Sequence, residues 1–268
     1  MRWGGLAIPV LLGLLLASPA GAEELTGRQI LDQTAQRHEA SCSYEAQTMT
    51  LVDKKGNREV REMRNFSRKD QDGQFKYLVV FLNPPGVKGV ALLTWQNKGA
   101  GDDQWLYLPA YGVKTKRVAK GSRKNYFMGT DFTFEDMVSE PLDKFSFERK
   151  PDETIDGTAH YVVEITPADP EVVKESGYKS RTVWVRQDNF FVTRTDYFDR
   201  QGKLLKRQTV SDLVNADGGR WRGNTSTMEN FDAGHSTVVQ TQSRAFEESA
   251  APEEKFQQRY ILSGQYLR

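Results

Sequence analysis

The amino-acid sequence predicts a mostly β protein of the α+β class, built on a single large antiparallel sheet with few helices. Turn-forming residues recur about every ten residues, and the segments between them are rich in Val, Phe, Tyr and Thr. No linker, repeat or low-complexity tract divides the chain. A meander of about ten or more strands should curl, and a curved sheet that few helices cover suits an apolar ligand cavity.

The first predicted element after the leader is a helix with a complete start signal. Thr26 stands at the N-cap and Gln29 three residues later, which is the spacing of a capping box. Leu25 before the cap and Ile30 inside the helix form a hydrophobic staple. The apolar stripe is modest and ends near Ala40, so this helix needs a surface to lie on.

Strand follows strand over most of the remaining chain, with hairpin turns at 199–203 and 232–234. Short helices are expected only at 134–138, 170–176 and 253–260. The predicted strands are 44–52, 58–67, 74–82, 90–95, 104–108, 113–118, 145–150, 160–166, 181–186, 191–198, 204–213, 221–231 and 236–246.

The leader itself has the three parts of a secretory signal peptide. Arg2 is positive, residues 6–17 are apolar, and Ala20-Gly21-Ala22 offers a cleavage site. An uncleaved membrane anchor is the alternative, but the apolar part is short and interrupted by Gly and Pro. We therefore expect residues 1–22 to be removed during export across the inner membrane, leaving 23–268 as a single domain.

Charge and cysteine content exclude several classes of protein. The 268 residues include 37 Lys and Arg, 36 Asp and Glu and one Cys, with a formal net charge of +1. This balance excludes the strongly basic surface that non-specific nucleic-acid binding needs, so no nucleic-acid partner is expected. One cysteine excludes a disulfide framework and a thiolate zinc cluster. Cys42 is expected to be a buried small hydrophobe, with a reactive thiol as the alternative.

The sequence carries no recognised catalytic, metal-binding or cofactor motif. It has no G-x-S-x-G elbow, no glycine-rich phosphate loop and no H-E-x-x-H pattern. His38, His160 and His235 lie far apart, and none has a partner at a metal-ligand spacing. Acidic pairs such as Glu135-Asp136 usually mark turns or helix starts. We therefore predict no catalytic residue, no metal and no cofactor.

The most distinctive segment is the motif loop, residues 126–137. Thr133 could cap a short helix together with Asp136, and Gly129 would permit a positive φ. The loop is interpreted either as a structural plug held by its aromatic residues or as a gate over an apolar cavity. The candidate gate residues are Gly129, Asp131, Phe132 and Phe134.

A basic cluster precedes the motif loop. It is interpreted either as a solvated, charged surface or as a docking patch for anionic headgroups or an acidic partner. Its members are Lys114, Lys116, Arg117, Lys120, Arg123 and Lys124.

Two segments carry a resemblance to a known family. Residues 104–110, Gln-Trp-Leu-Tyr-Leu-Pro-Ala, are followed by the basic cluster and then by Phe-Met-Gly-Thr-Asp-Phe-Thr-Phe-Glu-Asp at 127–136. This pattern resembles the outer-membrane lipoprotein-sorting protein family, and more narrowly its LolA-like branch associated with resistance-nodulation-division (RND) type transporters. The closing stretch 256–262 and the leader fit the same family.

The resemblance implies an unclosed half-barrel, a strongly curved antiparallel sheet wrapped around helices that cover an apolar cavity. It also implies a periplasmic carrier that shields the acyl chains of a lipid or lipoprotein and works with an inner-membrane RND-type transporter. Water between two membranes is a barrier of about 0.8 kcal/mol per exposed CH₂ group, and hiding the chains requires no catalytic group.

Alternation along the strands supplies candidate cavity residues, although it does not say which face of each strand points inward. An accessory or scaffold protein of a transporter, which never carries lipid, is the first alternative and predicts a well-filled core. A periplasmic hydrolase is the second and predicts ionisable groups clustered inside the cavity. The candidate cavity residues are Leu78, Val80, Leu93, Trp95, Trp105 and Tyr107 on the strands, with Phe127 and Met128 at the gate.

Overall fold

The computed structural model describes residues 24–98, 101–112, 114–139 and 141–267, so the predicted signal peptide lies outside the described residues. Among those described, no helix is long and apolar enough to cross a membrane. The helices are α1 (Gly27–His38), α2 (Pro170–Glu175) and α3 (Gln258–Leu262). The strands are β1 (Cys42–Val52), β2 (Arg58–Lys69), β3 (Phe75–Asn83), β4 (Ala91–Trp95), β5 (Asp103–Tyr107), β6 (Thr115–Arg117), β7 (Phe145–Ile155), β8 (Thr158–Pro167), β9 (Tyr178–Arg186), β10 (Val192–Asp199), β11 (Leu204–Asp217), β12 (Arg220–Asn230) and β13 (His235–Ala245).

All thirteen strands of the described residues belong to one antiparallel sheet. Their order is β6-β5-β4-β3-β2-β1-β13-β12-β11-β10-β9-β8-β7, so most neighbours in space are also neighbours in sequence. The exception is the pairing of β1 with β13, which joins the two halves of the meander at the centre. The sheet does not close, because β6 and β7 remain as its edges. The predicted mostly β fold with one large antiparallel sheet is confirmed.

The predicted N-terminal helix is confirmed, together with its start signal. The Thr26 backbone N–H donates to Gln29 Oε1 at 2.8 Å, and the Gln29 N–H donates to Thr26 Oγ1 at 3.2 Å. α1 then lies close to the sheet. A Cβ at Gly27 would stand 2.9 Å from Val163 Cγ1 and 3.3 Å from the Arg149 backbone nitrogen, so only glycine allows this approach.

The sheet is covered on both faces. Directly paired residues share a face, so the register divides the strand side chains into two sets. One face, here called the helix face, carries Met63 and Phe81, which pack against the motif loop, and Val163, which packs against α1. The opposite face, here the closing face, is covered by the closing segment, residues 247–267. Its core contains Phe66, Leu78, Val80, Ala91 and Leu93 from the strands and Ala251, Phe256, Ile261 and Tyr266 from the closing segment.

Cys42 belongs to the closing face. Its thiol is buried, and its Sγ lies 3.6 Å from the Glu247 carbonyl oxygen and 3.8 Å from that of Ala251. Burial is the main cause that raises the pKa of the Cys42 thiol above its ordinary value. The thiol is therefore kept protonated and behaves as a small hydrophobic group.

Candidate functional site

The motif loop packs against the helix face of the sheet. Phe127 is fully buried, with its ring 5.7 Å from that of Phe81 on β3 and 5.4 Å from that of Phe134. The predicted positive φ of Gly129 is confirmed at 75°, and Met128 beside it has a φ of 49°. These two left-handed residues turn the chain, so that the aromatic residues on either side of the turn reach the core.

Polar contacts fasten the tip of the loop to the sheet. The Asp131 N–H donates to Thr237 Oγ1 at 2.9 Å, and the Thr237 hydroxyl donates to Asp131 Oδ2 at 2.8 Å. The Arg61 guanidinium on β2 donates to the Met128 carbonyl oxygen at 2.7 Å. All the predicted gate residues except Gly129 are buried in this arrangement. The contacts of the loop are those of a plug fixed to the sheet.

A buried lysine is the central anchor of the loop. Lys206 on β11 is 0% exposed, and its Nζ donates to the Asp131 carbonyl oxygen at 3.1 Å and to Asp136 Oδ2. Burial lowers the pKa of Lys206, although the Asp136 carboxylate opposes this effect. Tyrosine rings surround the ammonium group at 5.0–5.7 Å; they belong to Tyr126, Tyr178 and Tyr197.

A cavity of about 590 Å³ lies between α1 and the sheet. One side of α1 lines it with Leu31, Thr34, Ala35 and His38. The facing wall comes from the helix face of the sheet and from a nearby segment, with Ser67, Phe75, Tyr77, Pro141, Leu142 and Arg222 among its residues. Its volume is within the range of small-molecule sites, and its apolar wall suits a hydrocarbon chain.

A second cavity of about 530 Å³ lies beside the first. Ser139 and Pro141 line both of them, so these residues form the partition. Phe134 and Arg123, two predicted site residues, line the second cavity together with Glu171 and Glu175. About half of its lining surface is polar, with contributions from Asp102, Glu135, Asp143, Lys144 and Glu171, whereas the lining surface of the cavity beneath α1 is mostly apolar. The cavity beneath α1 is therefore the better site for an apolar ligand.

His38 ties the end of α1 to the sheet, and both of its ring nitrogens are occupied. Nδ1 accepts from the Trp221 N–H at 3.2 Å, which leaves Nε2 to donate to the Asn189 carbonyl oxygen at 2.9 Å. Burial is the main cause that lowers the pKa of His38, and the cations of Arg222 and Arg37 lower it further. The ring is therefore a neutral structural tether, without a free nitrogen for proton transfer.

The eight predicted cavity residues do not line one cavity. Leu78, Val80 and Leu93 are 0% exposed on the closing face. The Trp95 and Trp105 rings meet edge to face at 4.8 Å, and Tyr107 meets Tyr266 at 6.1 Å on the same face. Phe127 and Met128 lie on the helix face. The closing segment covers this surface, so Leu78, Val80 and Leu93 are core there, and Trp95, Trp105 and Tyr107 pack against that core partly buried.

Trp95 makes one further contact on the closing face. Its Nε1 donates to the Phe256 carbonyl oxygen at 2.8 Å, and its ring borders a cleft of about 380 Å³ with residues 256–259. The residues of β3 that line the cavity beneath α1 are Phe75 and Tyr77, which have the opposite parity to Leu78 and Val80 along the strand. On β3, the candidate residues Leu78 and Val80 therefore lie on the face opposite to the cavity beneath α1.

The basic cluster divides into paired and unpaired residues. Arg117 binds Asp103, Lys120 lies 3.5 Å from a Glu171 carboxylate oxygen, and Arg123 donates to the Asp102 carbonyl oxygen. The others are exposed and have no ion pair among the described residues; they are Lys114, Lys116 and Lys124. No group of three or more metal-ligating side chains occurs in the part of the chain that the structure describes.

Comparison with known proteins supplies family and fold. A model of an uncharacterized protein family matches residues 73–263, which is more than half of the chain. No curated protein matches the sequence. A domain named for outer membrane lipoprotein sorting, from Vibrio parahaemolyticus, is 30% identical with a TM-score of 0.81, covering 88% of this chain and 98% of its own.

Two further solved structures have the same fold. A DUF1329 family protein from Desulfovibrio piger is 25% identical with a TM-score of 0.81, covering 88% of this chain and 97% of its own. A LolA superfamily protein from Nitrosomonas europaea is 18% identical with a TM-score of 0.70, covering 88% of this chain and 100% of its own. These TM-scores show that the three proteins share the overall fold of this chain.

Proposed function

The chain belongs to the outer membrane lipoprotein-sorting family and has the LolA-like fold, and from this premise we propose that it is a periplasmic carrier of acyl chains. It shields the chains of a lipid or lipoprotein in the cavity beneath α1 and exchanges them with a membrane transporter. The observation that carries the proposal is the cavity itself, about 590 Å³ with an apolar wall from Leu31, Ala35 and Tyr77. Each CH₂ group hidden there avoids a cost of about 0.8 kcal/mol in water.

The position of α1 suits uptake and release. Ile30 and Leu31 are buried in a cluster with Val163 and Val183 of the sheet, and Ala35 further along the helix lines the cavity. A small shift of this one helix, with its His38 end held by Trp221 and Asn189, would widen the cavity without breaking the hydrogen bonds between strands, because α1 is not a member of the sheet. A carrier needs such an adaptable wall, since it must both hold and release its cargo.

Export to the periplasm and transfer to a transporter complete the proposal. The leader at residues 1–22 would direct export. An inner-membrane RND-type transporter is the proposed partner for exchange, as the resemblance implies. The exposed lysines of the basic cluster, Lys114, Lys116 and Lys124, are the proposed contacts to anionic headgroups or an acidic partner surface.

A non-carrying accessory protein of such a transporter is the second candidate. The observation that favours it is the well-filled core of the closing face, where Leu78, Val80 and Leu93 are 0% exposed. The two candidates differ in what occupies the cavity beneath α1. A carrier fills it with acyl chains, whereas a scaffold leaves it to water.

A pair of variants on α1 separates the two candidates. Ala35 lines the cavity and Gln36 beside it is exposed, so Ala35→Trp fills the cavity and Gln36→Trp adds the same side chain in solvent. Binding of a fluorescent fatty-acid probe to the delipidated protein should weaken about tenfold or more in A35W and stay unchanged in Q36W. Circular dichroism would verify that both variants fold. Equal binding by both variants would contradict the cavity beneath α1 as the acyl site, and no binding by the unmodified protein would favour the scaffold.

A further inference from the structure

Arg222 is a cation at the cavity wall without an acidic partner. It lies on β12 and lines the cavity beneath α1. Its Nη1 donates to the Trp221 carbonyl oxygen at 2.8 Å, and its guanidinium stands 5.4 Å from the centre of the Phe246 ring. Among the described residues, no carboxylate forms an ion pair with Arg222.

The arginines on either side of Arg222 are paired. Arg220 Nη1 lies 2.5 Å from Asp217 Oδ2, and Arg244 Nε lies 2.7 Å from Glu45 Oε1. Glu45 is the acidic group that acts on Arg222 through space, but its carboxylate already accepts from Arg244 and from Gln47. Arg220 and Arg244 thus each have a carboxylate partner, whereas Arg222, at the cavity wall, has none among the described residues.

Keeping this charge at the cavity wall is costly. Burial lowers the pKa of Arg222 to about 10, and the neighbouring cations of Arg220 and Arg244 add to that effect. A partly desolvated guanidinium normally takes a carboxylate or several acceptors, because it has five N–H donors. Only one acceptor is present here among the described residues, so the donor set of Arg222 is largely unused.

The lining of the cavity divides into polar groups, Arg222 among them, and apolar side chains. Ser43 and Ser67 also line the cavity, and their hydroxyl oxygens lie 2.7 Å apart. Lys69 lines it too, but its ammonium group is bound to Glu39. A ligand with a charged head and a hydrocarbon tail matches this division.

We propose that Arg222 holds the anionic headgroup, a carboxylate or a phosphate, of an acyl lipid whose chain lies against Leu31, Ala35 and Tyr77. This inference rests on the proposed carrier function and names the ligand class of the same cavity. The planar guanidinium forms two parallel hydrogen bonds with either headgroup, and such charge-assisted pairs are roughly twice as strong as neutral hydrogen bonds. The ligand supplies the counter-charge that the described protein does not provide.

Three ligands with the same saturated chain test the inference: palmitate, hexadecyl phosphate and hexadecanol, each displacing a fluorescent acyl probe from the delipidated protein. The unmodified protein should bind at least one of the two anions about tenfold or more tightly than hexadecanol. The better anion identifies the headgroup as carboxylate or phosphate. Arg222→Gln should abolish the preference and leave hexadecanol binding unchanged, whereas Arg222→Lys should keep part of it.

The matched control is Arg58→Gln, which removes an exposed arginine from β2 and should leave the preference unchanged. Thermal unfolding provides the second readout. R222Q should unfold at the same temperature as the unmodified protein or higher, because the charge it removes is costly in the empty cavity. A purely structural Arg222 would instead give a lower unfolding temperature together with weaker hexadecanol binding, and that result would overturn the inference.

The outcomes separate this inference from the proposed function. Equal binding of anions and hexadecanol by the unmodified protein would overturn the role of Arg222 while supporting an acyl carrier. An R222Q variant that still prefers the anions to hexadecanol as strongly as the unmodified protein would likewise overturn the role of Arg222 while supporting an acyl carrier. Failure of all three ligands to bind would overturn the headgroup site and the carrier together.

Discussion

Replacing Lys206 with methionine tests whether the motif loop is held by its buried ion pair. Lys206 is fully buried, and methionine keeps much of its length and apolar stem while removing the charge. Asp136, whose side chain is also buried, would then lack its cation. Breaking a buried pair by removing one partner costs about 3–5 kcal/mol.

The remaining contacts of Asp136 set the expected value within that range. Asp136 Oδ1 accepts from the Tyr178 hydroxyl at 2.9 Å, and Oδ2 accepts from the Thr133 N–H at 2.6 Å. These two bonds partly compensate the carboxylate, so we expect K206M to lower the free energy of unfolding by about 3 kcal/mol. The control Lys179→Met removes an exposed lysine from β9 and should change the free energy of unfolding by less than about 0.5 kcal/mol.

Urea unfolding followed by tryptophan fluorescence gives these free energies, and a double-mutant cycle isolates the pair. Asp136→Asn should also destabilise the protein, because it leaves the Lys206 ammonium group buried without a carboxylate to balance its charge. The double variant should cost clearly less than the sum of the two, since it leaves no uncompensated charge. Additive effects, or a K206M cost below about 1 kcal/mol, would refute the account of the anchor.

Two further predictions concern the core and the end of α1. Leu93→Ala should lower the free energy of unfolding by about 2–5 kcal/mol and leave acyl-probe binding to the folded protein unchanged, because Leu93 packs on the closing face, away from the cavity. Urea titration and probe binding on one sample test both expectations. Weakened probe binding would contradict the assignment of Leu93 to the closing face. The neutral His38 ring is favoured in the folded state, so the stability that this group contributes is complete above pH about 6.5 and falls as the pH is lowered below that value. Between pH about 8 and 5, the urea midpoint of His38→Gln should therefore fall less than that of the unmodified protein. An equal fall in both proteins would contradict the tether.

The sequence was sufficient for the elements but not for the faces of the sheet. Thr26 and Gln29 identify the start of α1 through local hydrogen bonds, and the hairpin turns locate the strands in the same local way. The face of a strand depends on what covers it. β3 is apolar at both parities, Leu78 on one face and Val79 on the other, because the closing segment and the motif loop cover opposite sides of it.

The charged residues of the site were missed for a related reason. Lys206 stands beside Arg207 in a polar stretch of β11, and such a pair normally indicates a solvated face. Its burial follows from the motif loop, about 70 residues earlier in the chain, which brings Asp136 over it. Arg222 is similar, since only the docking of α1 converts that part of β12 into a cavity wall. The small residues Thr34 and Ala35 next to Leu31 were the local signal that α1 leaves a gap above the sheet.

Mass spectrometry of the lipids extracted from the protein, purified from its native periplasm, tests the carrier most directly. The account predicts a reproducible, near-stoichiometric acyl species with a carboxylate or phosphate headgroup, reduced in A35W and retained in Q36W. A protein that yields no acyl species, and that remains empty after incubation with a lipid extract of its host, would contradict the account and favour the scaffold.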